Sequence, residues 1–199
     1  FSFWYERVKD CGLKIPASAY YQFTYDDVRK YIGYIYGEDK DMNAKRKEFC
    51  RKILIPLLDD FLHIKNRKSD EIFIKNAVFS NKFTFSDCHI IDFVPLKDVV
   101  KKLENINYTG LLVGAEGFNE IVLREYIHPK LNFGEIYNGM ALRPEFRVFY
   151  DFDKQKLLYT VNYWNYQYCE EHLSVEDKAV FSNAEAQLNK YFKQHVDEV

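Results

Sequence analysis

Phe49, Ile53, Leu57 and Phe61 recur at every fourth position, with Cys50, Leu54, Leu58 and Leu62 beside them. That spacing predicts one apolar helical face. Pro56 lies inside the run and predicts a kink, because its ring crowds the preceding turn and it has no N–H to donate. Upstream, Thr24 with Asp27 three residues on is a capping-box signature, and a helix over residues 26–37 follows. Residues 38–43 read as a charged connection, and residues 11–21 as a loop with a short extended segment around Leu13, Ile15 and Pro16. Residues 71–76 form a short apolar run ending in Lys75 and predict a buried strand. Residues 89–94 predict another, and Pro95 then opens a helix carrying Val99, Val100 and Leu103.

After Gly110 the pattern changes. Residues 120–127, 145–152 and 156–164 are rich in Val, Ile, Leu, Phe and Tyr and predict strands. Asp153-Lys154-Gln155 predicts a hairpin turn between the last two. Ser174 with Asp177 is a second capping box, ahead of an amphipathic helix carrying Phe181, Leu188, Phe192 and Val196. The order predicts an α+β fold in two lobes. Residues 1–107 form a helix-rich lobe with the Lys75 strand, and residues 108–199 form antiparallel strands with a C-terminal helix.

Composition changes this picture in a few places. Aromatic residues make up 18% of the 199 residues, with 17 Phe, 16 Tyr and 2 Trp, so the core is built from large flat side chains. A net charge of −2 gives no bulk attraction to nucleic acid or anionic lipid. The partners expected are therefore neither nucleic acid nor membrane. Cys11, Cys50, Cys88 and Cys169 form no Cys-x-x-Cys pair, which argues for free thiols in a reducing, cytoplasmic setting. No apolar run is long enough to span a bilayer. The start at Phe1 rather than Met suggests a fragment, a processed product or a trimmed chain.

Three cations in apolar strands carry the candidate chemistry. Lys75 ends Glu71-Ile72-Phe73-Ile74-Lys75, where it is either an edge-strand guard or a charge aimed into a cleft. Ser80, Asn81 and Lys82 follow between apolar anchors, a turn of small donors suited to phosphate oxygens. Arg147 interrupts Glu145-Phe146-Arg147-Val148-Phe149, and Arg124 interrupts Ile121–Ile127. Each is either half of a structural ion pair or a bidentate partner for a phosphate or acyl phosphate. Read as neighbouring strands, the Arg124 and Arg147 segments suggest one shared polyanion. Asn162, Tyr163, Trp164 and Tyr166 form a polar-aromatic cluster suited either to packing or to substrate contact. Phosphate-loop and dinucleotide glycine motifs are absent, and His63, His89, His128, His172 and His195 show no metal-ligand spacing. Asp151 and Asp153 read as turn formers before they read as cation ligands.

In this order the segments resemble the ATP-grasp superfamily. More narrowly, they look like the clade named for two arginines and one lysine. That clade is similar to a eukaryotic cell-division-cycle family with a member that assists assembly of a translation initiation factor. The matching pieces are CGLKIPASAYY at 11–21, EIFIKNAVFSNKF at 71–83, IVLREYI at 121–127 and LRPEFRVFYDFDKQKLLYTVNYWNY at 142–166. The resemblance implies ATP and Mg2+ as cofactors and a carboxylate–amine ligase acting through an acyl phosphate. An ATP-binding factor acting on a protein partner, or an inactive interaction module, is the alternative.

The resemblance also implies roles for particular residues. Lys75 would bind the α- and β-phosphates, and Ser80, Asn81 and Lys82 would form a flexible covering turn. Arg124 would join them, with backbone groups of Glu125 and Ile127 near the adenine. Arg147 would be the catalytic arginine at the γ-phosphate. Arg143, close to it in sequence, and Asn162 of the polar-aromatic cluster are the substrate-contact candidates that the residues themselves offer. The family's metal-binding carboxylates lie on strands after the last helix. They have no counterpart in these residues, so the metal ligands are unknown and the chain is expected to be catalytically incomplete.

Overall fold

The computed structural model describes residues 1–10, 14–35, 40–91, 95–115, 119–151, 153–154, 156–164 and 171–194. It is an α+β protein with small antiparallel sheets. The elements are α1 (Ser2–Val8), β1 (Ser18–Gln22), α2 (Tyr25–Ile35), α3 (Met42–Phe49), α4 (Ile55–Leu62), β2 (Ile72–Asn76), α5 (Phe85–Cys88), β3 (His89–Ile90) and α6 (Leu96–Leu112). There follow β4 (Glu120–Glu125), β5 (Glu135–Ile136), β6 (Met140–Ala141), β7 (Phe146–Asp151), β8 (Lys156–Asn162) and α7 (Val175–Gln194). No helix among the described residues is long and apolar enough to cross a membrane.

The chain divides into two compact units. The first holds residues 1–6, 15–128 and 137–140, and the second holds residues 7–14, 129–136 and 141–199. β4 therefore belongs with β1, β2 and β3.

In the first unit the four strands run in the order β1-β4-β2-β3, every neighbour antiparallel. β4 lies between β1 and β2, so both its edges are used. The strand of Arg147 thus has no edge to pair with there and joins a different sheet. The expectation that Arg124 and Arg147 lie on neighbouring strands is corrected by this pairing. Successive side chains alternate across a strand. The register therefore puts Ile72, Ile74, Asn76, Ile121, Leu123, Glu125 and Ile90 on one face, which packs on α4 and α6. Ile74, Ile121 and Leu123 are fully buried there.

Phe49, Ile53, Leu57 and Phe61 are all buried, as the stripe predicts. The predicted kink is absorbed differently. α3 runs through a π-helical turn at Cys50–Leu54 into α4, with Pro56 in the first turn of α4. A π turn widens the winding next to the residue that lacks an N–H, so the proline ring meets no carbonyl and the helix continues. The first capping box forms in both directions, the Thr24 amide donating to Asp27 Oδ2 at 2.9 Å, and the second forms its N-cap bond. The amide of Asp27 donates to the Thr24 hydroxyl and that of Asp177 to the Ser174 hydroxyl, each at 3.1 Å.

Several elements were not legible in the pattern: α1, the start of α3 at Met42, and β1 as a paired strand. The predicted strand over 89–94 is β3 at His89–Ile90, while residues 92–94 lie outside the described set. β5 and β6 make a small hairpin whose turn holds Tyr137 and Asn138 at positive φ, 49° and 59°. In the second unit β7 and β8 form a two-stranded ribbon with a bulge at Phe149/Tyr150. Asp153 and Lys154 occupy its turn, and Gln155 lies outside the described residues. α7 packs on β8, where the Thr160 hydroxyl donates to Asn189 Oδ1 at 3.0 Å.

Candidate functional site

The other face of the four-stranded sheet collects the chemistry. By register, Phe73 and Lys75 on β2, Glu120, Val122 and Arg124 on β4, Ser18 and Tyr20 on β1, and His89 on β3 all point that way. Lys75 stands opposite Val122, and Arg124 opposite Phe73. Lys75 is therefore paired to β4 rather than guarding a free edge. Among the described residues nothing gives its ammonium a hydrogen bond or salt bridge. Burial holds its pKa below the ordinary lysine value, and the nearby charges of Arg124 and Lys82 push it the same way, against the weaker pull of Glu120. Three cations thus share one neighbourhood of one unit.

Glu120 faces the same way, and its carboxylate also holds the start of α1. It receives the nitrogen of Phe1 at 2.7 Å and both the amide and the hydroxyl of Ser2. Those bonds hold its pKa down although burial works against them. The same carboxylate thereby fixes the start of α1 over the β1 end of the face, where Phe1 meets Tyr20 edge-on.

Beyond the cations the face turns aromatic. Phe73, Phe85, His89 and Tyr126 pack ring to ring, with His89 and Tyr126 only 4.3 Å apart between centroids. Glu71 closes that end. Its carboxylate accepts from His89 Nε2 at 2.6 Å and from His128 Nε2 at 2.8 Å. Burial keeps the His89 pKa below the ordinary imidazole value, although Glu71 pulls it up. Sequence reasoning missed this cluster. The alternation Glu71, Phe73, Lys75 was visible, but nothing local reveals that two histidines so far apart in sequence share one carboxylate.

The turn after β2 is ordered by its asparagines. Asn76 Oδ1 accepts from the amides of Val78 and Phe79, and the Asn76 amide donates to the Phe79 carbonyl. Ser80 is half-buried. Asn81 is almost fully buried and left-handed at φ 49°, with its amide nitrogen donating to Asp87 at 2.9 Å. Asn81 therefore points inward, while Lys82 begins the short 3-10 turn Lys82–Thr84. At the far end of β4 the Glu125 carboxylate is structural. It accepts from the backbone amides of Lys68, Ser69 and Ala17. Ile127 is exposed beyond the strand.

The remaining candidates lie in the second unit. Arg147 is exposed on β7, with its guanidinium 4.9 Å from the Tyr163 ring centroid in a cation–π contact. Glu145 lies nearer to Arg143, at 3.8 Å. Asn162 Oδ1 accepts from the amide of Trp164, whose indole N–H donates to the Arg143 carbonyl at 2.8 Å. The first contact turns the chain at the end of β8, and the second ties that end to the segment before β7. Tyr166 lies outside the described residues. Asp151 accepts from the Lys154 amide and pairs with its ammonium, as a turn former does. Among the described residues no group of three or more His, Cys, Asp or Glu could hold a metal ion.

Comparison with protein-family models, curated proteins and solved structures finds no match for this chain.

Proposed function

We propose that the chain binds the polyphosphate of ATP on the Lys75 face, as an ATP-grasp protein, in the service of carboxylate–amine ligation. The observation that carries this reading is the gathering of Lys75, Arg124 and Lys82. Lys75 is mostly buried and repelled by its two neighbours, and it has no hydrogen-bonding partner among the described residues. A half-buried ammonium beside like charges costs stability unless an anion joins it. A polyphosphate supplies several negative oxygens at a spacing that one carboxylate cannot. The sequence resemblance supports the same assignment and adds the reaction. A carboxylate takes the γ-phosphoryl group to give an acyl phosphate and ADP, and an amine then displaces phosphate.

Within this reading Lys75, Arg124 and Lys82 neutralise phosphate oxygens and orient the chain of phosphates. Ser80 adds a short donor from the turn. The resemblance gives Arg147, in the second unit, a part in the reaction itself, a task suited to a bidentate guanidinium. The described residues supply no cluster of metal ligands, so no step is assigned to one. Titration calorimetry with MgATP tests the binding, and ADP release with candidate amine acceptors tests the reaction. Equal affinity for MgATP in the parent and in Lys75→Met would overturn the assignment. Nucleotide-dependent capture of one protein without turnover would replace the ligase by an assembly factor.

A further inference from the structure

Lys75 and Lys82 stand at the two ends of one turn, and each has an asparagine as its immediate neighbour inside that turn. Asn76 follows Lys75, and Asn81 precedes Lys82. Both asparagines are tied to the same helix. Asn76 Nδ2 donates to Asn107 Oδ1 on α6 at 3.2 Å, a buried side-chain pair. Asn81 reaches α6 through Asp87, whose other oxygen accepts from Asn105 Nδ2 at 3.0 Å. Lys102, one helical turn before Asn105 and Ile106, caps the Ser86 carbonyl from the same helix.

Packing seals the arrangement between these anchors. A Cβ built at Gly110 would meet the Phe79 ring at 3.2 Å, so the turn rests directly on the helix where it has no side chain. A buried amide pair is retained at a cost, because each of its polar atoms must be satisfied. Asn76 Oδ1 already holds the turn through the amides of Val78 and Phe79, so the polar group at 107 is accounted for by the Asn76 Nδ2 it accepts from. What that pair adds is an anchor from the turn to α6, which fixes the distance between the residues next to the two lysines.

We propose that α6 is the brace of the cation site, with Asn107 and Asn105 as positioning residues that set the spacing of Lys75 and Lys82. The proposal rests on the phosphate-binding reading and replaces an adaptable covering turn with a prearranged one. Binding then loses little conformational entropy at the turn, because the turn is already ordered.

Double-mutant cycles on the full chain test it, read as MgATP affinity by calorimetry with thermal melts alongside. Asn107→Leu is expected to weaken binding about three- to tenfold in the parent, the worth of one neutral hydrogen bond. In the Lys75→Met background the same change is expected to cost less than about twofold, since the residue it positions is gone. Equal losses in both backgrounds, or no loss in the parent, would overturn the brace while leaving the phosphate site standing. An unchanged affinity in Lys75→Met alone would instead remove the site, and the brace with it. Should Asn107→Leu fail to fold, the half-buried Asn105→Ala paired with Lys82→Met decides the same question, additivity again counting against the proposal.

Discussion

Lys75 and Arg147 look alike in sequence, each a single cation in a short run of Ile, Val, Phe and Tyr, yet the two units treat them in opposite ways. Lys75 sits in a sheet whose one face is packed on α4 and α6, and its own face gathers two more cations. Arg147 lies exposed on a two-stranded ribbon, against a tyrosine ring. The lesson is that a charge within an apolar strand is buried only when the sheet around it is wide enough to bury the strand. A two-stranded ribbon leaves the same pattern in water, where a cation needs no anionic partner.

The largest effect that sharpens this contrast is structural. Glu125→Ala removes a buried carboxylate that satisfies three backbone amides, and about 2–4 kcal/mol of stability should go with it. Glu145→Ala, its counterpart beside the ribbon, should cost less than about 1 kcal/mol. Urea melts on both variants measure the difference, and similar losses would erase the distinction between the units.

Next comes Lys75→Met. MgATP affinity should fall about ten- to a hundredfold, the worth of a charge-assisted hydrogen bond. The ligand-free protein should at the same time become more stable. The folded pKa of Lys75 is depressed, so the unfolded chain holds that proton more tightly. Stability therefore rises as pH climbs from the folded value towards the ordinary lysine range near about 10.4, and at neutral pH the charged form is a burden. A variant that loses both affinity and stability would point to a structural lysine.

The His89–Glu71–His128 end of the face offers a smaller, pH-dependent effect. Burial depresses the His89 pKa, and the charges of His128 and Lys102 push the same way, so that together they outweigh the upward pull of Glu71. Its contribution is complete above about pH 6.5 and is lost as pH falls below that, because the unfolded chain then takes up the proton first. Thermal melts between pH 7.5 and 5.5, as about the range of interest, should show a steeper fall in the parent than in His89→Phe. Parallel curves would mean that Glu71 compensates the histidine fully.

The smallest expected effect is at Arg147. Arg147→Lys should change stability by less than about 0.5 kcal/mol, because the site is exposed. A drop in turnover with the true acceptor in the same variant would give the guanidinium fork a part in the reaction. Unchanged turnover would leave Arg147 with its tyrosine alone.

Much of this was open to reading in the chain itself. Residues with strong periodicity, such as Phe49 to Phe61, and with paired local signals, such as Thr24 and Asp27, formed as their spacing predicts. Lys75 and Arg124 were recognisable as cations within apolar strands, and register places them on one face. What stayed hidden depends on partners distant in sequence. β1 gains its identity only by pairing with β4, roughly a hundred residues on, and α1 by the Glu120 carboxylate at its start. Glu125 gave no local sign that it would cap three amides, nor Asn107 that it would hold Asn76. Asn81 read as a loop donor because asparagine favours turns, and its inward direction depends on Asp87.

The π turn before Pro56 settles a question of winding. Four residues of α-helix advance about 400°, so a strict period-four stripe overshoots by about 40° at each step and would wander roughly 120° from Phe49 to Phe61. The wider turn at Cys50–Leu54 winds back part of that drift and keeps all four side chains on the core. The proline and the stripe are therefore one feature. Winding Cys50–Leu54 as regular α-helix without losing a residue would swing Leu57 and Phe61 up to about 100° away from the core. Deleting one residue from that turn would cancel the swing and leave the stripe on one face, so the π turn is what lets this helix carry its extra residue.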